Sequence, residues 1–455
     1  MEPEQQLLSG WGRTAATRAT VHAPDALAFV ADRVDTPSPR GLIARGLGRS
    51  YGDAAQNAGG DVVLCTELDR VVELDVGKGL ATVEAGVGLD ALLRVLLPLG
   101  WMPAVVPGTS YVTVGGAIAS DIHGKFRHGS FADYVDRLQL VSPGAGVQTL
   151  EPGAHADAFW ATAGGMGLTG VITQATLRLQ PVDTAQLVCD TERTADLDDC
   201  MARMRDGDHR YQYSVAWIDC LAGGGHLGRA VLSRGNHATF ADLPPGARAT
   251  AREYAPRTRL TFPAGVPSLI NPLSVRVFNE LWYRKAPRLR AGHVEGIKQF
   301  FFPLDGVRAW NRVYGPAGLV QYQFVVPYGQ EAVVRYVLER LRAARAPSFL
   351  AVLKRFEHDS RALLGFPRSG WTLAVDVPAA RRGLAPLLDD FDGRVAEAGG
   401  RVYLTKDARL RPEVLETMYP ELARWREIRA HLDPRHVLRS DMDRRLDLTG
   451  RGRGQ

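Results

Sequence analysis

The chain has 455 residues, of which 45% are hydrophobic and 23% charged, a composition typical of globular proteins. This length exceeds what one ordinary hydrophobic core supports, so we expect two domains. The net charge of +5, from 55 basic and 50 acidic residues, is too small to indicate nucleic-acid binding. The sequence shows no secretory signal pattern and no apolar run near the ~20 residues of a membrane span. We therefore expect a cytoplasmic protein and leave peripheral membrane contact open.

The four cysteines are Cys65, Cys189, Cys200 and Cys220. None of them shows the C-x-x-C spacing of zinc sites or redox motifs, so we interpret them as buried or incidental thiols. No metal site is indicated. The arginines at 444–445 and 451–453 predict a mobile, solvated basic tail.

A glycine-rich turn, ARGLGRSYGD, occupies residues 44–53. A nicotinamide-binding G-x-G-x-x-G turn leads from a strand into a helix and has a small residue at its third glycine position. Here Tyr51 holds that position, and the following polar segment leads into a second strand at 62–65. These features disfavour a nicotinamide dehydrogenase. A strand–loop–strand turn with three glycines can still present several backbone amides to a diphosphate group.

The remaining elements up to residue 183 are short strands, glycine turns and a few helices. In order, the pattern predicts a strand at 80–87, an amphipathic helix at 89–99, glycine-rich elements at 107–109 and 114–119, a helix at 155–163 and a strand at 171–179. No strands are assigned between 184 and 314, a stretch rich in proline and arginine.

Residues 321–405 contain an internal repeat. The first unit is a strand at 321–327, a helix through Leu341 and a strand at 348–354; the second is a strand at 371–378, a helix through Val395 and a strand at 401–405. Two βαβ units in series predict a ferredoxin-like sheet with helices on one face and the other face free for a ligand. A helix at 412–432 is expected to pack back on the first domain.

A series of motifs resembles the vanillyl-alcohol-oxidase superfamily of FAD oxidoreductases. The motifs lie at 10–14, 44–53, 107–109, 113–117, 121–125, 167–170, 281–285, 310–312, 315–318, 321–324, 406–407 and 439–442. Within the superfamily, D-I-H-G-K, L-W-Y-R-K and T-K-D are similar to the flavin oxidases of polyprenylphosphoryl-ribose. The resemblance implies an α+β fold with two domains. These are a PCMH-type FAD-binding domain at 1–183 plus 406–455 and a substrate domain with a ferredoxin-like, mixed sheet at 184–405.

The resemblance also implies which residues bind FAD. They are Arg45, Gly46, Leu47, Gly48, Arg49, Ser50, Tyr51, Gly52, Gly108, Thr109, Thr113, Gly115, Gly116, His123, Gly124, Val171, Ile172 and Tyr403. In many superfamily members a histidine of the first loop is bound covalently to the flavin. Arg49 stands at that position here, so we expect FAD to be held non-covalently.

The activity that the resemblance implies is oxidation of the 2′-hydroxyl of a polyprenylphosphoryl-ribose to a 2′-keto sugar. This would be the first half of an epimerisation that supplies an arabinan cell-wall precursor in actinobacteria. Lys406 matches the catalytic lysine of the family, and Lys125 and His123 are expected on the flavin side of the substrate. A separate NAD(P)-dependent ketoreductase would be needed to complete the epimerisation.

Four residues are expected to contact the substrate: Gln323, Lys354, Thr372 and Ala374. Lys354 and Arg355 together are candidates for holding its phosphate. Thr372 and Ala374 depart from the family strand G-W-N-x-C-V-D, in which an asparagine and a cysteine stand at these positions. We therefore expect insensitivity to inhibitors that trap the cysteine, and the exact sugar stays open.

Two other functions remain as alternatives. A sugar-alcohol or aldonolactone oxidase of the same superfamily commonly carries covalent flavin, which the missing loop histidine disfavours. A flavin-free binding or scaffold protein would have little reason to retain the glycine series and the lysines.

Overall fold

The computed structural model describes residues 4–125, 129–255 and 260–450. Ten strands and four helices come first along the chain. The strands are β1 (Glu4–Ser9), β2 (Ala16–His22), β3 (Leu42–Arg45), β4 (Asp61–Leu64), β5 (Val71–Asp75), β6 (Leu80–Glu84), β7 (Trp101–Pro103), β8 (Val135–Ser142), β9 (Gly146–Leu150) and β10 (Val171–Pro181). The helices are α1 (Leu27–Asp35), α2 (Leu89–Leu96), α3 (Val114–Ala119) and α4 (Ala156–Thr162).

These strands form two sheets. The first has the order β1-β2-β4-β3, with β4 parallel to both β2 and β3. The second is antiparallel, with the order β5-β6-β10-β8-β9 and β7 paired to the end of β10. The glycine turn joins β3 to β4, so the predicted strand–loop–strand arrangement is confirmed. The glycine-rich element at 114–119 is in fact helix α3, which begins where the Thr113 side chain accepts the Gly116 amide.

The middle of the chain supplies ten more strands and five helices. The strands are β11 (Gln186–Thr194), β12 (Tyr213–Ile218), β13 (Ala230–His237), β14 (Leu260–Thr261), β15 (Leu289–Gly296), β16 (Val307–Arg308), β17 (Leu319–Pro327), β18 (Ala351–Phe356), β19 (Gly370–Pro378) and β20 (Arg401–Val402). The helices are α5 (Leu197–Gly207), α6 (Pro272–Lys285), α7 (Ile297–Phe301), α8 (Glu331–Ala343) and α9 (Leu384–Glu397).

Eight of these strands form one sheet with the order β15-β11-β13-β12-β18-β19-β17-β20. The half from β18 to β20 has the ferredoxin-like strand order, built from β17-α8-β18 and β19-α9-β20, so the predicted repeat is confirmed. The half from β15 to β12 has the same strand order, although no strands were predicted in this part of the sequence. Pairing of β12 with β18 joins the halves.

Helices α5, α8 and α9 cover one face of this large sheet. Apolar residues of α5, α8 and α9 pack with alternate strand residues such as Leu232, Leu353 and Leu373 in one buried cluster. Because strand side chains alternate between faces, the intervening residues point away from these helices. Part of the opposite face forms the wall of a cavity, as the sequence predicts, and the short helix α7 packs against β11 on the same face.

Two predicted elements near the C-terminal end differ from those observed. The strand predicted at 401–405 ends at Val402, because the Tyr403 amide bonds the Gln323 carbonyl and the chain then turns, with the Lys406 amide donating to the Tyr403 carbonyl. The helix predicted at 412–432 is split into α10 (Pro412–Met418) and α11 (Leu422–Leu432). Pro420 lies in the break, and the residue before a proline avoids the helical conformation.

The C-terminal segment packs back on the first region of the chain. In α11, Trp425 donates to the Ala161 carbonyl at 2.9 Å, and Arg429 donates to the Leu168 carbonyl at 3.2 Å. The last helix is α12 (Asp441–Leu446). The expectation of a mobile tail is wrong for Arg445, which pairs with Asp53 at 2.7 Å; residues 451–453 lie outside the described residues. None of the described helices has the length and apolar character needed to cross a bilayer.

Replacing Arg429 with alanine should destabilise the protein strongly. The Arg429 guanidinium and the Asp433 carboxylate are both buried and 2.6 Å apart, so the variant leaves a buried charge without its partner. We expect the free energy of unfolding to fall by about 3–5 kcal/mol in urea titrations. On the same helix, Arg424 forms an exposed ion pair with Asp157, and Arg424→Ala should cost less than about 1 kcal/mol. Equal losses in the two variants would contradict this account.

Candidate active site

A cavity of about 1170 Å³ lies between the first region of the chain and the open face of the large sheet. On one side its wall consists of the glycine turn and a second loop at 106–113. On the other side, alternate residues of five strands contribute: Val215, Trp217, Val231, Ser233, Gln321, Gln323, Val352, Lys354 and Ala374. The cavity is the place where both halves of the sheet meet the glycine loops.

The glycine turn presents unused backbone amides to this cavity. Residues 47–50 line the cavity, and their amides donate no hydrogen bond to any residue that the structure describes. Arg45 supports the turn from below through bonds to the Ser9 and Ala55 carbonyls at 2.7 and 2.9 Å. Gly48 lies over this guanidinium with a positive φ of 64°. Several amides directed at one place suit a diphosphate anion, so the turn fits the pyrophosphate of FAD.

The second loop is held by a carboxylate distant in sequence. Asp305 accepts the Thr109 hydroxyl at 2.6 Å, and the Ser110 amide and hydroxyl at 2.7 and 2.8 Å. Burial raises the pKa of Asp305, which these hydrogen bonds oppose. The two loops also touch each other, because a side chain added at Gly46 would place its Cβ 2.2 Å from the Thr113 hydroxyl oxygen. The cavity wall therefore has little room to shift.

The N-terminal segment fastens the turn to the large sheet. The amides of Trp11 and Gly12 donate to the carbonyls of Ser50 and Tyr51 at 2.8 and 3.0 Å, and the Leu319 amide in β17 donates to the Gly12 carbonyl at 2.8 Å. The Trp11 ring lies beneath the Arg49 guanidinium, 4.0 Å from its centre. This stacking keeps the Arg49 side chain at the cavity wall.

His123 is the centre of a polar cluster on the sheet side of the cavity. Its Nε2 lies 3.0 Å from Gln323 Nε2, and its Nδ1 lies 3.1 Å from Lys354 Nζ. Thr372 accepts a hydrogen bond from the Gln323 amide at 3.3 Å. Burial and the positive charge of Lys354 lower the pKa of His123 well below its usual value. The imidazole is therefore neutral at physiological pH.

Two lysines share this side of the cavity. Burial and the charges of Lys125 and Lys406 lower the pKa of Lys354 to about 7. Burial also lowers the pKa of Lys125 to about 8, against the attraction of Glu295. The Lys125 amine donates to the Phe300 carbonyl, and its Nζ lies 4.4 Å from the centre of the Phe300 ring. Both amines can thus change protonation near neutral pH.

Lys406 lies between the glycine turn and the sheet. Its Nζ is 4.0 Å from the centre of the Tyr51 ring and makes no hydrogen bond or ion pair within the described ranges of the chain. Burial lowers the pKa of Lys406, and the nearby Asp376 carboxylate opposes this shift. Gln321 links Asp376 to the Tyr51 hydroxyl, which it contacts at 3.2 Å. The arrangement leaves a lysine with a lowered pKa facing the cavity.

Most residues that the sequence nominated line this one cavity. They are Arg45, Gly46, Leu47, Gly48, Arg49, Ser50, Tyr51, Gly108, Thr109, Thr113, Gly115, Gly116, His123, Gly124, Lys125, Ile172, Gln323, Lys354, Ala374, Tyr403 and Lys406. Residues from seven separated stretches of sequence are thus brought together: 45–51, 108–125, 172, 323, 354, 374 and 403–406. Which of them bind cofactor and which bind substrate stays a prediction.

Four nominated residues do not line the cavity. Gly52 packs against the Asp407 backbone, and Val171 is buried in a core cluster beneath β3. Thr372 shares the sheet face of Ala374 but is covered, and it bonds Gln323 instead. Arg355 points to the other face of β18, as alternation requires, and bonds the Met204 carbonyl at 2.7 Å. The expectation that Lys354 and Arg355 hold one phosphate together is therefore wrong.

The sequence reasoning missed three groups of the site. Asp376 lies two residues beyond Ala374 on the same strand face, so period-two alternation was a sufficient signal for it. No pattern in the sequence indicates the other two, Tyr111 and Asp305, because their roles depend on tertiary contacts. The Tyr111 ring lies 5.6 Å from the Arg49 guanidinium, and Asp305 bonds the loop at Ser110.

A glycine turn with unused amides and a second glycine-containing loop, placed against a cation-rich sheet face, fit an FAD-dependent oxidoreductase of the vanillyl-alcohol-oxidase type. Comparison with known proteins agrees. Residues 30–151 match the FAD binding domain family. The chain is 43% identical over 450 residues to decaprenylphosphoryl-beta-D-ribose oxidase of Mycolicibacterium smegmatis, and the match covers 97% of each chain.

Two further relatives are more distant. L-gulono-1,4-lactone dehydrogenase of Mycobacterium tuberculosis is 26% identical over 463 residues, covering 96% of this chain and 98% of the relative. Cytokinin dehydrogenase 8 of Oryza sativa is 34% identical over 174 residues, covering 35% of this chain and 33% of the relative. On the extent and identity of the first match, the chain belongs to the decaprenylphosphoryl-β-D-ribose oxidase family.

Replacing Gly46 with alanine should reduce the FAD content of the purified protein. The new Cβ would lie 2.2 Å from the Thr113 hydroxyl oxygen, so the two loops must move apart. The ratio of flavin to protein absorbance, and the FAD concentration that restores it, measure the effect. Gly153→Ala is a matched control, because a Cβ there meets nothing within 4 Å. Unchanged flavin content in Gly46→Ala would show that the contact between the loops does not shape the cofactor site.

Proposed function

We propose that the enzyme oxidises the 2′-hydroxyl of a polyprenylphosphoryl-ribose to the 2′-keto sugar. The observation that carries this proposal is the convergence of His123, Lys354 and Lys406 at the place where the glycine loops meet the sheet. The relative that is 43% identical over almost the whole chain is a decaprenylphosphoryl-ribose oxidase. Cationic groups in a partly buried cavity suit a substrate that carries a phosphate.

When bound, FAD would supply a hydride acceptor for the 2′-carbon of the sugar. The amides of residues 47–50 would hold its pyrophosphate, and the loop held by Asp305 would lie against it. The rigid contact between Gly46 and Thr113 keeps the two loops in register. The protein's part in the reaction is then to align the sugar and to remove the hydroxyl proton.

Lys406 is the proposed base for that proton. Its amine faces the cavity, and burial lowers its pKa, so a useful fraction is uncharged near neutral pH. The uncharged Nζ can accept the proton of the 2′-hydroxyl as the carbon–hydrogen bond breaks. Asp376 then lies close enough to stabilise the ammonium that forms.

The cluster around His123 is the proposed anchor of the sugar phosphate. Lys354 contacts His123, and Thr372 fixes the amide of Gln323. An incoming phosphate would favour the charged form of Lys354, whose pKa burial has lowered to about 7. Thr372 acts in this scheme through Gln323 and is a positioning residue.

We also propose the two-domain division of 1–183 plus 406–455 and 184–405. The bond from Trp425 to the Ala161 carbonyl and the bridge between Leu42 and Leu438 support the assignment of the C-terminal segment to the first domain. All strands of the large sheet lie within the second range. A separate NAD(P)-dependent ketoreductase would consume the keto sugar, since an epimerisation requires its reduction.

Anaerobic mixing with farnesylphosphoryl-ribose should bleach the flavin absorbance rapidly. Because an uncharged amine is the base, the rate should rise with pH and level off well below the ordinary lysine pKa of about 10.4. Lys406→Met should slow bleaching by about 100-fold or more and abolish this pH dependence. Lys78→Met, which removes an exposed lysine paired with Asp75, is the control and should leave the rate unchanged.

Other results would exclude the proposal. Bleaching with an aldonolactone or a free polyol, but none with the lipid-linked sugar, would assign the chain to the function of its more distant full-length relative. A Lys406→Met enzyme that keeps both the wild-type rate and its pH profile would exclude this lysine as the base.

Trichloroacetic acid should release all the flavin into the supernatant. Arg49 occupies the loop position where many superfamily members attach FAD, and its guanidinium is stacked on Trp11. The measurement is the visible absorbance of the supernatant and of the washed pellet. A yellow pellet would contradict non-covalent binding.

A further inference from the structure

Helix α6 exposes apolar side chains along the face that points away from the protein. Leu273, Val277 and Leu281 recur every four residues and are 73%, 50% and 64% exposed. Residues four apart lie above one another on a helix, so they form one continuous stripe. Surface helices of soluble proteins place their apolar stripe towards the core instead.

The helix is anchored by its opposite face. Val275 and Asn279 are buried, and the Asn279 amide donates to Asp219 at 2.8 Å and to the Ser348 carbonyl at 3.3 Å. The Asn271 side chain caps the first turn. The outward stripe is thus held in place by a well-packed helix.

Basic side chains border the stripe. Between residues 272 and 290 there are five basic residues, Arg276, Arg284, Lys285, Arg288 and Arg290, and all are exposed. The only acidic residue in this range is Glu280, which is already paired with Arg229 at 2.6 Å and with Arg284. Charge complementarity therefore favours a negatively charged surface as the partner.

The stripe is continuous with the mouth of the cavity. Phe278 and Trp282 follow the exposed stripe around the helix, stack on each other at 6.0 Å and line the cavity. Trp217 and Val352 are further apolar residues of the cavity wall. Phe278 and Trp282 are 42% and 45% exposed and also line the cavity, so the stripe reaches the cavity at these two rings.

We propose that α6 and the basic segment up to Arg290 dock on an anionic lipid bilayer, with the cavity mouth facing the membrane. An amphipathic helix with apolar residues on one side and arginine or lysine beside them binds at the lipid–water interface. The docked enzyme would take its substrate by the lipid tail, a consequence that rests on the proposed function. The docking itself requires only the surface described here.

Co-sedimentation of the holoenzyme with vesicles tests the docking. We expect binding to vesicles of equal parts phosphatidylglycerol and phosphatidylcholine, and much weaker binding to pure phosphatidylcholine. Leu273→Glu combined with Val277→Glu should weaken binding at least tenfold, because two apolar side chains of the stripe are replaced by anions that an anionic surface repels. Phe29→Glu, at a 61% exposed residue of α1, should leave binding unchanged. Flavin content shows that each variant is folded.

A fluorescent label gives a second reading. All four natural cysteines are buried, so Val277→Cys can be labelled selectively with an environment-sensitive dye. Anionic vesicles should shift its emission to the blue, whereas a label at Phe29→Cys should not respond. Vesicle binding that the double glutamate variant retains would overturn the proposal. A blue shift that depends on protein concentration without lipid would overturn it in favour of a second copy of the chain.

The two proposals can fail separately. Bleaching by farnesylphosphoryl-ribose in detergent-free buffer tests the reaction without any membrane. If bleaching occurs but vesicles do not bind, the docking surface alone is excluded. If vesicles bind but no polyprenylphosphoryl-ribose bleaches the flavin, the docking stands and the proposed reaction is excluded.

Discussion

The burial of three lysines in one cavity is the constraint on which this site depends. Lys125, Lys354 and Lys406 project into one partly buried cavity, where water screens their charges poorly. Burial and mutual repulsion lower the pKa of Lys354, and burial lowers the other two. Such an arrangement is unfavourable on its own and becomes favourable when an anion enters. In the proposed function, the free-energy cost of burying these charges would favour a phosphorylated substrate and would also prepare Lys406 to accept a proton.

The large sheet provides the fixed geometry that this arrangement requires. Its two halves have the same strand order and meet where β12 pairs with β18, next to Lys354. Helices packed on the other face hold the strands in place. Because side chains alternate along each strand, a single sheet contributes both a helix-packed core and a polar cavity wall. Gln323 and Lys354 reach His123 from two such strands.

The sequence predicted the parts of the fold that follow from local patterns. The strand–loop–strand glycine turn and the ferredoxin-like repeat at 321–402 depend on glycine and on alternating or helical periodicity, which a single sequence displays. The half of the sheet from β15 to β12 escaped assignment because long connections separate its strands, notably the stretch of 238–288 before β15. The single helix predicted at 412–432 followed from periodicity alone, whereas Pro420 divides this segment into two helices.

The site was predictable to the extent that its residues belong to contiguous motifs. Twenty-one nominated residues line the cavity, because the resemblance carried each motif as a unit. Arg355 does not share the phosphate site predicted for it, because consecutive residues of a strand point to opposite faces and Arg355 follows Lys354 directly. Asp305 bonds a loop 195 residues earlier in the chain, a contact that only the folded structure reveals.

The segment around Trp11 has a consequence for handling the protein. Its backbone is hydrogen-bonded to the glycine turn on one side and to β17 on the other, so it connects the glycine turn to the large sheet. A proteolytic nick or a bulky fusion tag close to this segment would loosen the glycine turn that it contacts. If that turn holds FAD as proposed, amino-terminal truncation would alter flavin binding as well as chain length.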